Sequence, residues 1–198
     1  FEGAETPYNL GGFNNSSWRL AATPAPLVPG DSLAYSYNRA KLAWYTIDQI
    51  FYRNADNLRP NNITKEELQN HYVRGIFRNE VFPGRDPEVA NTFEYTFDVA
   101  YYPRERGQYN YNPNLTSQGL LAGDPRRNWG GISRDIAFDT DFDNANIEYV
   151  EFWMMDPFIT GPNGRKDAQG NPINNNEGGE LVLNLGNVSE DILKDNLY

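Results

Sequence analysis

The hydrophobic pattern of the chain is strongest from Ile147 to Phe158, where nearly every residue is apolar, aromatic or β-branched. Alternation at the strand period places Val150, Phe152 and Met154 on one face, and the opposite face is also largely apolar. A strand that is apolar on both faces is typical of the middle of a sheet, and it ends at a proline because proline donates no hydrogen bond. We therefore predict a central strand with Val150, Phe152 and Met154 in the core.

A second strand signal lies later in the chain, from Glu180 to Leu185, where Leu181, Leu183 and Leu185 repeat at the strand period. The connection from Gly161 to Gly179 is rich in asparagine and glycine, so it belongs at the surface rather than in a core. We predict that the two strands are antiparallel neighbours, joined as a hairpin by this long polar loop.

Several shorter segments also have the pattern of strands. The clearest is Phe93 to Tyr102, in which apolar and polar residues alternate until Pro103 ends the strand. Another strand is predicted to begin within Asn38 to Tyr52 and to break near Asp48. Further strands are predicted at Trp18 to Leu20 and at Ile132 to Phe138.

One segment, from Asn61 to Phe77, has a helix signal. Thr64 is a suitable N-cap, and Glu67 three residues later completes a capping box. Gly75 weakens the end of the helix. Apolar residues repeat at spacings of four along it: Leu68, Tyr72 and Ile76. The sequence therefore predicts one short helical insertion in a strand-rich chain.

Composition favours an all-β architecture. Thirteen tyrosines, eleven phenylalanines and four tryptophans, with abundant glycine, proline and asparagine, are typical of short strands separated by turns. At 198 residues the chain can bury one sizeable core, and we take residues 1–198 as one domain. The opening Phe1-Glu2-Gly3, followed by a strand that contains Trp18, favours a jelly-roll β-sandwich of the galactose-binding, carbohydrate-module type.

Charge and residue usage exclude several function classes. A net charge of −10, without a long run of lysine and arginine, argues against nucleic acid and anionic membrane surfaces as partners. The absence of cysteine excludes disulfides, thiolate zinc sites and a cysteine nucleophile. No stretch of about 18 apolar residues is present, so we expect no direct membrane insertion. Because the chain starts at Phe1 without a signal peptide, we expect it to be a piece of a longer protein.

Residues suited to catalysis or metal binding are few. His71 is the only histidine, and a catalytic base needs a nucleophile and an orienting carboxylate that the sequence does not place, so a packing or surface role is favoured. The acidic run from Asp139 to Asp143 matches the start of a calcium loop. However, Asn144 and Val150 stand where an EF-hand requires glycine and glutamate. We expect no enzymatic activity, no cofactor and no bound metal.

Arginine and aromatic side chains are concentrated in two loops, Pro103 to Asn114 and Arg126 to Arg134. These residue types are enriched at the centres of protein interfaces. The candidate contact residues are Arg104, Arg106, Tyr109, Tyr111, Trp129 and Arg134. The alternative is internal: the arginines pair with the domain's own carboxylates, and the aromatic rings cap its core.

Five ordered blocks of the sequence resemble one protein family. They are NRAKLAWYTID (38–48), PRERGQYNYNPN (103–114), NWGGISRDI (128–136), DFDNANIEYVEFWMMDPF (141–158) and GGELVLNLGNVSEDILKD (178–195). Together they are similar to a region of the SprA/Sov family, the giant cell-surface gliding-motility proteins of Bacteroidota. The resemblance extends over nearly the whole chain, from Phe1 to Asp195.

The resemblance implies a setting that the residue patterns do not. The SprA/Sov family forms the outer-membrane translocon of the type IX secretion system, a very large β-barrel with substantial extramembrane domains. This chain would be one such domain, at the outer membrane or cell surface, on its periplasmic or extracellular side. Its partners would be other parts of the parent translocon and secretion-system proteins, and the family contributes no catalytic residues. A carbohydrate-binding module at the cell surface is the alternative, because a jelly-roll with aromatic strands is a common scaffold for sugar stacking.

Overall fold

The structure is a computed structural model of the chain, and it describes residues 17–24, 27, 33–52, 59–68, 70–84, 92–136, 141–144, 146–159, 170–173, 178–188 and 191–192. The chain divides into two compact units. The first comprises Phe1–Asn9, Thr46–Thr96 and Asp141–Glu180, and the second comprises Leu10–Tyr45, Phe97–Thr140 and Leu181–Tyr198. This division into compact units does not test whether residues 1–198 form a single domain, which stays a prediction.

The second unit is built on two antiparallel strand pairs. Strand β1 (Arg19–Leu20) pairs with β4 (Ile132–Ser133), and β2 (Ala40–Tyr45) pairs with β3 (Asp98–Arg106). Single 3-10 turns lie at Leu33–Ser36 and Pro125–Arg127. The buried apolar side chains of the described residues all belong to this unit: Tyr35, Ala40, Leu42 and Leu121.

Strand β3 continues through Pro103, where the sequence predicted its end. Ala40 lies opposite Arg106 and Lys41 lies opposite Tyr102, so the three residues from Pro103 to Glu105 bulge out of the ladder. A proline in a bulge removes no ladder hydrogen bond, which is why the strand tolerates it. The N-terminal boundary also differs, because β3 begins only at Asp98.

The first unit contains a 3-10 turn at Gln49–Tyr52 and two single-turn helices, α1 (Lys65–Leu68) and α2 (Arg78–Val81). The predicted capping box is confirmed: Glu67 Oε2 accepts from Thr64 N at 2.6 Å, and Thr64 Oγ1 accepts from Glu67 N at 3.2 Å. The predicted helix is nevertheless wrong in length, since α1 ends at Leu68. After it, Asn70 Oδ1 accepts the backbone N–H of Tyr72, and this local turn competes with continuation of the helix.

An aromatic cluster holds this unit together downstream of α1. The Phe93 ring stacks on Phe77 with centroids 4.6 Å apart and lies 5.4 Å from the Tyr52 ring. Gly75 packs directly beneath, where an added Cβ would come within 2.6 Å of the Phe93 ring. The glycine that weakens the helix signal is therefore required by close packing.

The described part of the chain is β-rich with short helices, which confirms the fold prediction at that level. The predicted central strand is wrong. No backbone hydrogen bond joins residues 148–155 to another segment of the described chain, and Val150, Phe152 and Met154 are 38%, 52% and 64% exposed. A strand needs a neighbour for its N–H and C=O groups, and alternation identifies a candidate strand without supplying that neighbour.

The predicted hairpin is wrong for the same reason, because residues 180–185 are not a strand either. Leu181, Leu183 and Leu185 are 61%, 54% and 52% exposed. Several other predictions lie wholly or largely outside the described residues: the opening Phe1-Glu2-Gly3, the loop Gly161 to Gly179, Asp139, and residues 137–138 of the strand predicted after Ile132. No helix within the described ranges has the length and apolar character needed to cross a membrane.

Candidate functional site

The second unit is organised around a buried arginine. Arg39 is 1% exposed, and its guanidinium lies 4.5 Å from the centroid of the Trp129 ring. It donates hydrogen bonds to the backbone carbonyls of Ala21 at 2.7 Å and Ile192 at 3.4 Å. Burial lowers the pKa of Arg39, because the charged guanidinium is removed from water. One side chain thus joins three segments that are far apart in the sequence.

Two of the six predicted contact residues lie in this interior packing. Trp129 is half-buried against Arg39. The Arg134 guanidinium lies 5.9 Å from the centroid of the Trp18 ring, which in turn packs 5.2 Å from Phe97. Arg134 is also half-buried, and its Nη1 has no hydrogen-bond partner in the described structure. A contact role for Trp129 and Arg134 stays a prediction.

Two buried asparagines organise the loop that follows β3. Asn110 Nδ2 donates to the carbonyls of Tyr37 at 3.0 Å and Arg39 at 2.6 Å, and Asn112 Nδ2 donates to Tyr37 at 3.1 Å. Each Oδ1 accepts the backbone N–H two residues further on, from Asn112 and from Asn114, both at 2.8 Å. Side-chain hydrogen bonds therefore hold this backbone in place where no strand ladder does.

Tyr109 and Tyr111 alternate with these asparagines along the loop. Tyr109 is 47% exposed and Tyr111 is 53% exposed. The backbone of Tyr109 has φ of 57°, in the left-handed region that bulky side chains rarely adopt. The bonds of Asn110 and Asn112 hold the chain in this conformation, so the loop presents two tyrosine rings to solvent from a rigid backbone.

Arg104 and Arg106 lie at the end of β3, immediately before this loop. Both are exposed, and neither guanidinium forms a hydrogen bond or ion pair with the described residues. The nearby Lys41, by contrast, is paired with Glu105 at 2.6 Å. Four of the six predicted contact residues are thus exposed in one short segment of the chain, and we call Arg104, Arg106, Tyr109 and Tyr111 the exposed loop surface.

A polar cleft of about 330 Å³ lies in the same unit, lined by Asn38, Ala122, Gly123, Asp124, Arg127 and Asn128. It is joined to the loop, because Ala122 N donates to the Asn114 carbonyl at 3.1 Å. Asp124 caps the 3-10 turn, and hydrogen bonds from the Arg126 guanidinium and backbone lower the pKa of its carboxyl.

Arg127 is the functional candidate that the sequence prediction missed. Its side chain is exposed in the cleft and forms no hydrogen bond or ion pair with the described residues. A signal was available: Asp124 followed by Pro125 is a helical-turn start, and successive residues of such a turn point in different directions. Arg126 therefore folds back onto Asp124 while Arg127 lines the cleft.

The face of the β2–β3 pair opposite Leu42 carries two further tyrosines. Tyr45 is 42% exposed and Tyr102 is 41% exposed, and the register places Ala43 opposite Ala100 between them. Partial burial raises the pKa of Tyr45. The Lys41 ammonium lies 4.8 Å from the Tyr102 ring centroid. This tyrosine face is a shallow aromatic surface with small residues at its centre.

The described residues offer no assembled metal site. Within them, no group of three or more histidine, aspartate and glutamate side chains lies close enough to hold a metal ion. His71 Nε2 lies 3.0 Å from the Asp156 carbonyl oxygen, and its ring packs edge-on to Tyr72. His71 thus makes a packing contact. The expectation that the chain is not an enzyme and binds no cofactor or metal stays a prediction.

Comparison of the chain with models of known protein families gives no match. Comparison with curated protein sequences gives no match either.

Proposed function

We propose that this chain is a non-catalytic extramembrane domain of the SprA/Sov translocon, which supports type IX secretion and gliding through protein contacts. The five sequence blocks that resemble the family supply this setting, at the outer membrane or cell surface. The contacts are with other parts of the translocon and with secretion-system proteins. In the same proposal, the complete domain is a jelly-roll-like β-sandwich to which the two antiparallel strand pairs belong.

One observation carries the proposal that the domain acts through contacts. Asn110 and Asn112 are buried and bonded, while the two tyrosines that alternate with them are about half exposed. Burying an aromatic ring stabilises a fold by roughly 25 cal/mol per Å² of apolar area. A loop that served only stability would bury Tyr109 and Tyr111 and expose its asparagines. This loop has the reverse arrangement, which favours binding because a rigid surface loses little entropy on association.

The composition of the exposed loop surface supports the same conclusion. Tyrosine and arginine are the residue types enriched at interface centres and hot spots. Arg104 and Arg106 have no intramolecular acceptor among the described residues, although the chain has a net charge of −10. Guanidinium groups that are left unpaired in an acidic chain are available to acceptors on a partner.

The test compares stability with function for the same substitutions. Tyr109→Asn, Tyr111→Ala and Arg106→Ala are each introduced into the isolated chain for melting measurements, and into the parent protein in cells for assays of secretion and gliding. Asparagine is chosen at position 109 because it tolerates a positive φ. We expect unchanged melting temperatures and impaired secretion. If every substitution that impairs secretion also unfolds the isolated chain, the contact proposal fails.

The tyrosine face favours a second candidate, a carbohydrate-binding module. Tyr45 and Tyr102 flank the small pair Ala43 and Ala100, an arrangement on which sugar rings stack. The test is titration of the chain with soluble cell-surface polysaccharide, followed by calorimetry of Tyr45→Ala and Tyr102→Ala. Saturable binding that both substitutions weaken supports this function. Binding that is absent from the unaltered chain eliminates it.

A further inference from the structure

The cations of the second unit differ in whether they have an acceptor. Three of them form ion pairs: Arg19 with Asp135 at 2.8 Å, Lys41 with Glu105 at 2.6 Å, and Arg126 with Asp124 at 3.0 Å. Arg127 forms none with the described residues, although it directly follows Arg126 in the same 3-10 turn. Arg127 is distinguished by its position, because it lines the polar cleft.

The cleft has a local charge opposite to that of the chain. Asp124, its one acidic residue, is neutralised by Arg126, whose guanidinium donates to both carboxylate oxygens at 3.0 to 3.2 Å. Arg127 then leaves an excess of one positive charge in the cleft. The Asn38 side chain is exposed in the same lining and adds an amide donor. The donors that remain suit one small anionic group.

We propose that the Arg127 cleft binds a carboxylate side chain from an acidic segment of a partner protein. This inference rests on the proposed function, since it names the kind of partner that the exposed loop surface would meet. The planar guanidinium forms two parallel hydrogen bonds to a carboxylate. A cleft of about 330 Å³ is at the lower end of ligand pockets and accommodates a single side chain.

Other polyanions fit this surface poorly. A nucleic acid or an anionic membrane presents a dense row of negative charges and is held by many cations together, whereas this cleft has an excess of only one. An acidic protein segment can place one carboxylate in the cleft while its apolar side chains contact Tyr109 and Tyr111. The exposed loop surface and the cleft are joined through Asn114 and Ala122, so one segment can reach both.

The test uses fluorescence anisotropy of a labelled peptide of alternating glycine and glutamate, titrated with the chain at low salt. The same peptide with glutamine in place of glutamate is the ligand control. We expect Arg127→Gln to weaken binding about tenfold, the effect of losing a hydrogen-bonded charge pair. Arg127→Lys keeps the positive charge but not the planar pair of donors. Its affinity for the peptide should therefore lie between those of the unaltered chain and Arg127→Gln. Arg19→Gln makes the same charge change outside both the cleft and the exposed loop surface, at an exposed arginine paired with Asp135, and should weaken binding less than about twofold.

The outcomes distinguish failure of the cleft inference from failure of the proposed function. Equal losses for Arg127→Gln and Arg19→Gln would mean diffuse charge attraction and overturn the cleft site. Tighter binding to anionic-lipid vesicles or to single-stranded DNA than to the glutamate peptide would also overturn it. Equal binding of the two peptides, or binding of neither, overturns this inference alone. In that case the secretion and gliding phenotypes of Tyr109→Asn and Tyr111→Ala still decide the proposed function.

Discussion

Replacement of Asn110 by alanine tests whether buried asparagine side chains hold the backbone of the exposed loop surface in place. The side chain donates to the carbonyls of Tyr37 and Arg39 and accepts from the backbone N–H of Asn112. Both carbonyls keep a second donor after the change, Asn112 Nδ2 at 3.1 Å and Gly107 N at 3.1 Å respectively. The Asn112 N–H is the group that loses its partner. An orphaned buried donor costs about 1 to 3 kcal/mol, and each lost bond to a carbonyl adds about 0.5 to 1.5 kcal/mol at most.

These terms together give an expected loss for Asn110→Ala of about 2 to 6 kcal/mol in the free energy of unfolding of the second unit, and the second donor that each carbonyl keeps places it near the lower end. Urea unfolding followed by tryptophan fluorescence measures it. Hydrogen exchange at the Asn112 amide should accelerate in parallel. The matched control is Asn114→Ala in the same loop, whose side chain is exposed and whose substitution should change stability by no more than about 0.5 kcal/mol.

A loss below about 1 kcal/mol for Asn110→Ala, equal to that of Asn114→Ala, would refute the idea that asparagine side chains hold this loop. The same substitution should impair secretion although Asn110 is itself buried, because Tyr109 and Tyr111 would lose their fixed position. Normal secretion beside a measurable loss of stability would mean that the rigidity of the loop does not matter to the contact.

Three further predictions concern the first unit. Thr64→Ala removes half of the capping box and should cost about 1 kcal/mol in urea unfolding; no change would mean that the cap is not formed in solution. Gly75→Ala places a Cβ 2.6 Å from the Phe93 ring and should cost about 1 to 3 kcal/mol, whereas an unchanged melting temperature would contradict the close packing. The hydrogen-bonded ion pair with Arg74 lowers the pKa of Glu80 in the folded chain. The stability that this ion pair contributes is therefore present above the ordinary glutamate pKa of about 4.3, and it is lost as the pH falls through the lower folded-state pKa. Glu80→Gln should flatten this acid dependence, and a pH profile identical to that of the unaltered chain would show that the ion pair adds nothing.

Local signals in the sequence were sufficient where the interaction is itself local. The capping box at Thr64 joins residues three positions apart, so the residue types alone identified it. Strand β2 was predicted to break near Asp48, and it ends at Tyr45 ahead of a 3-10 turn. The sequence also identified the residue types of the exposed loop surface, because arginine and tyrosine are enriched at interfaces on any kind of element.

The tertiary structure alone decided which segments found neighbours. Residues 147–155 have a stronger strand pattern than β2, yet β2 is paired and they are not paired within the described residues. It also decided that Asn110 is buried, since the carbonyls that receive its side chain lie 71 and 73 residues away. Asparagine is a surface residue by its polarity, and it is stable inside only where such acceptors are already in place. A hydrophobic pattern records which face of a segment avoids water, whereas pairing and polar burial depend on partners brought close by the rest of the fold.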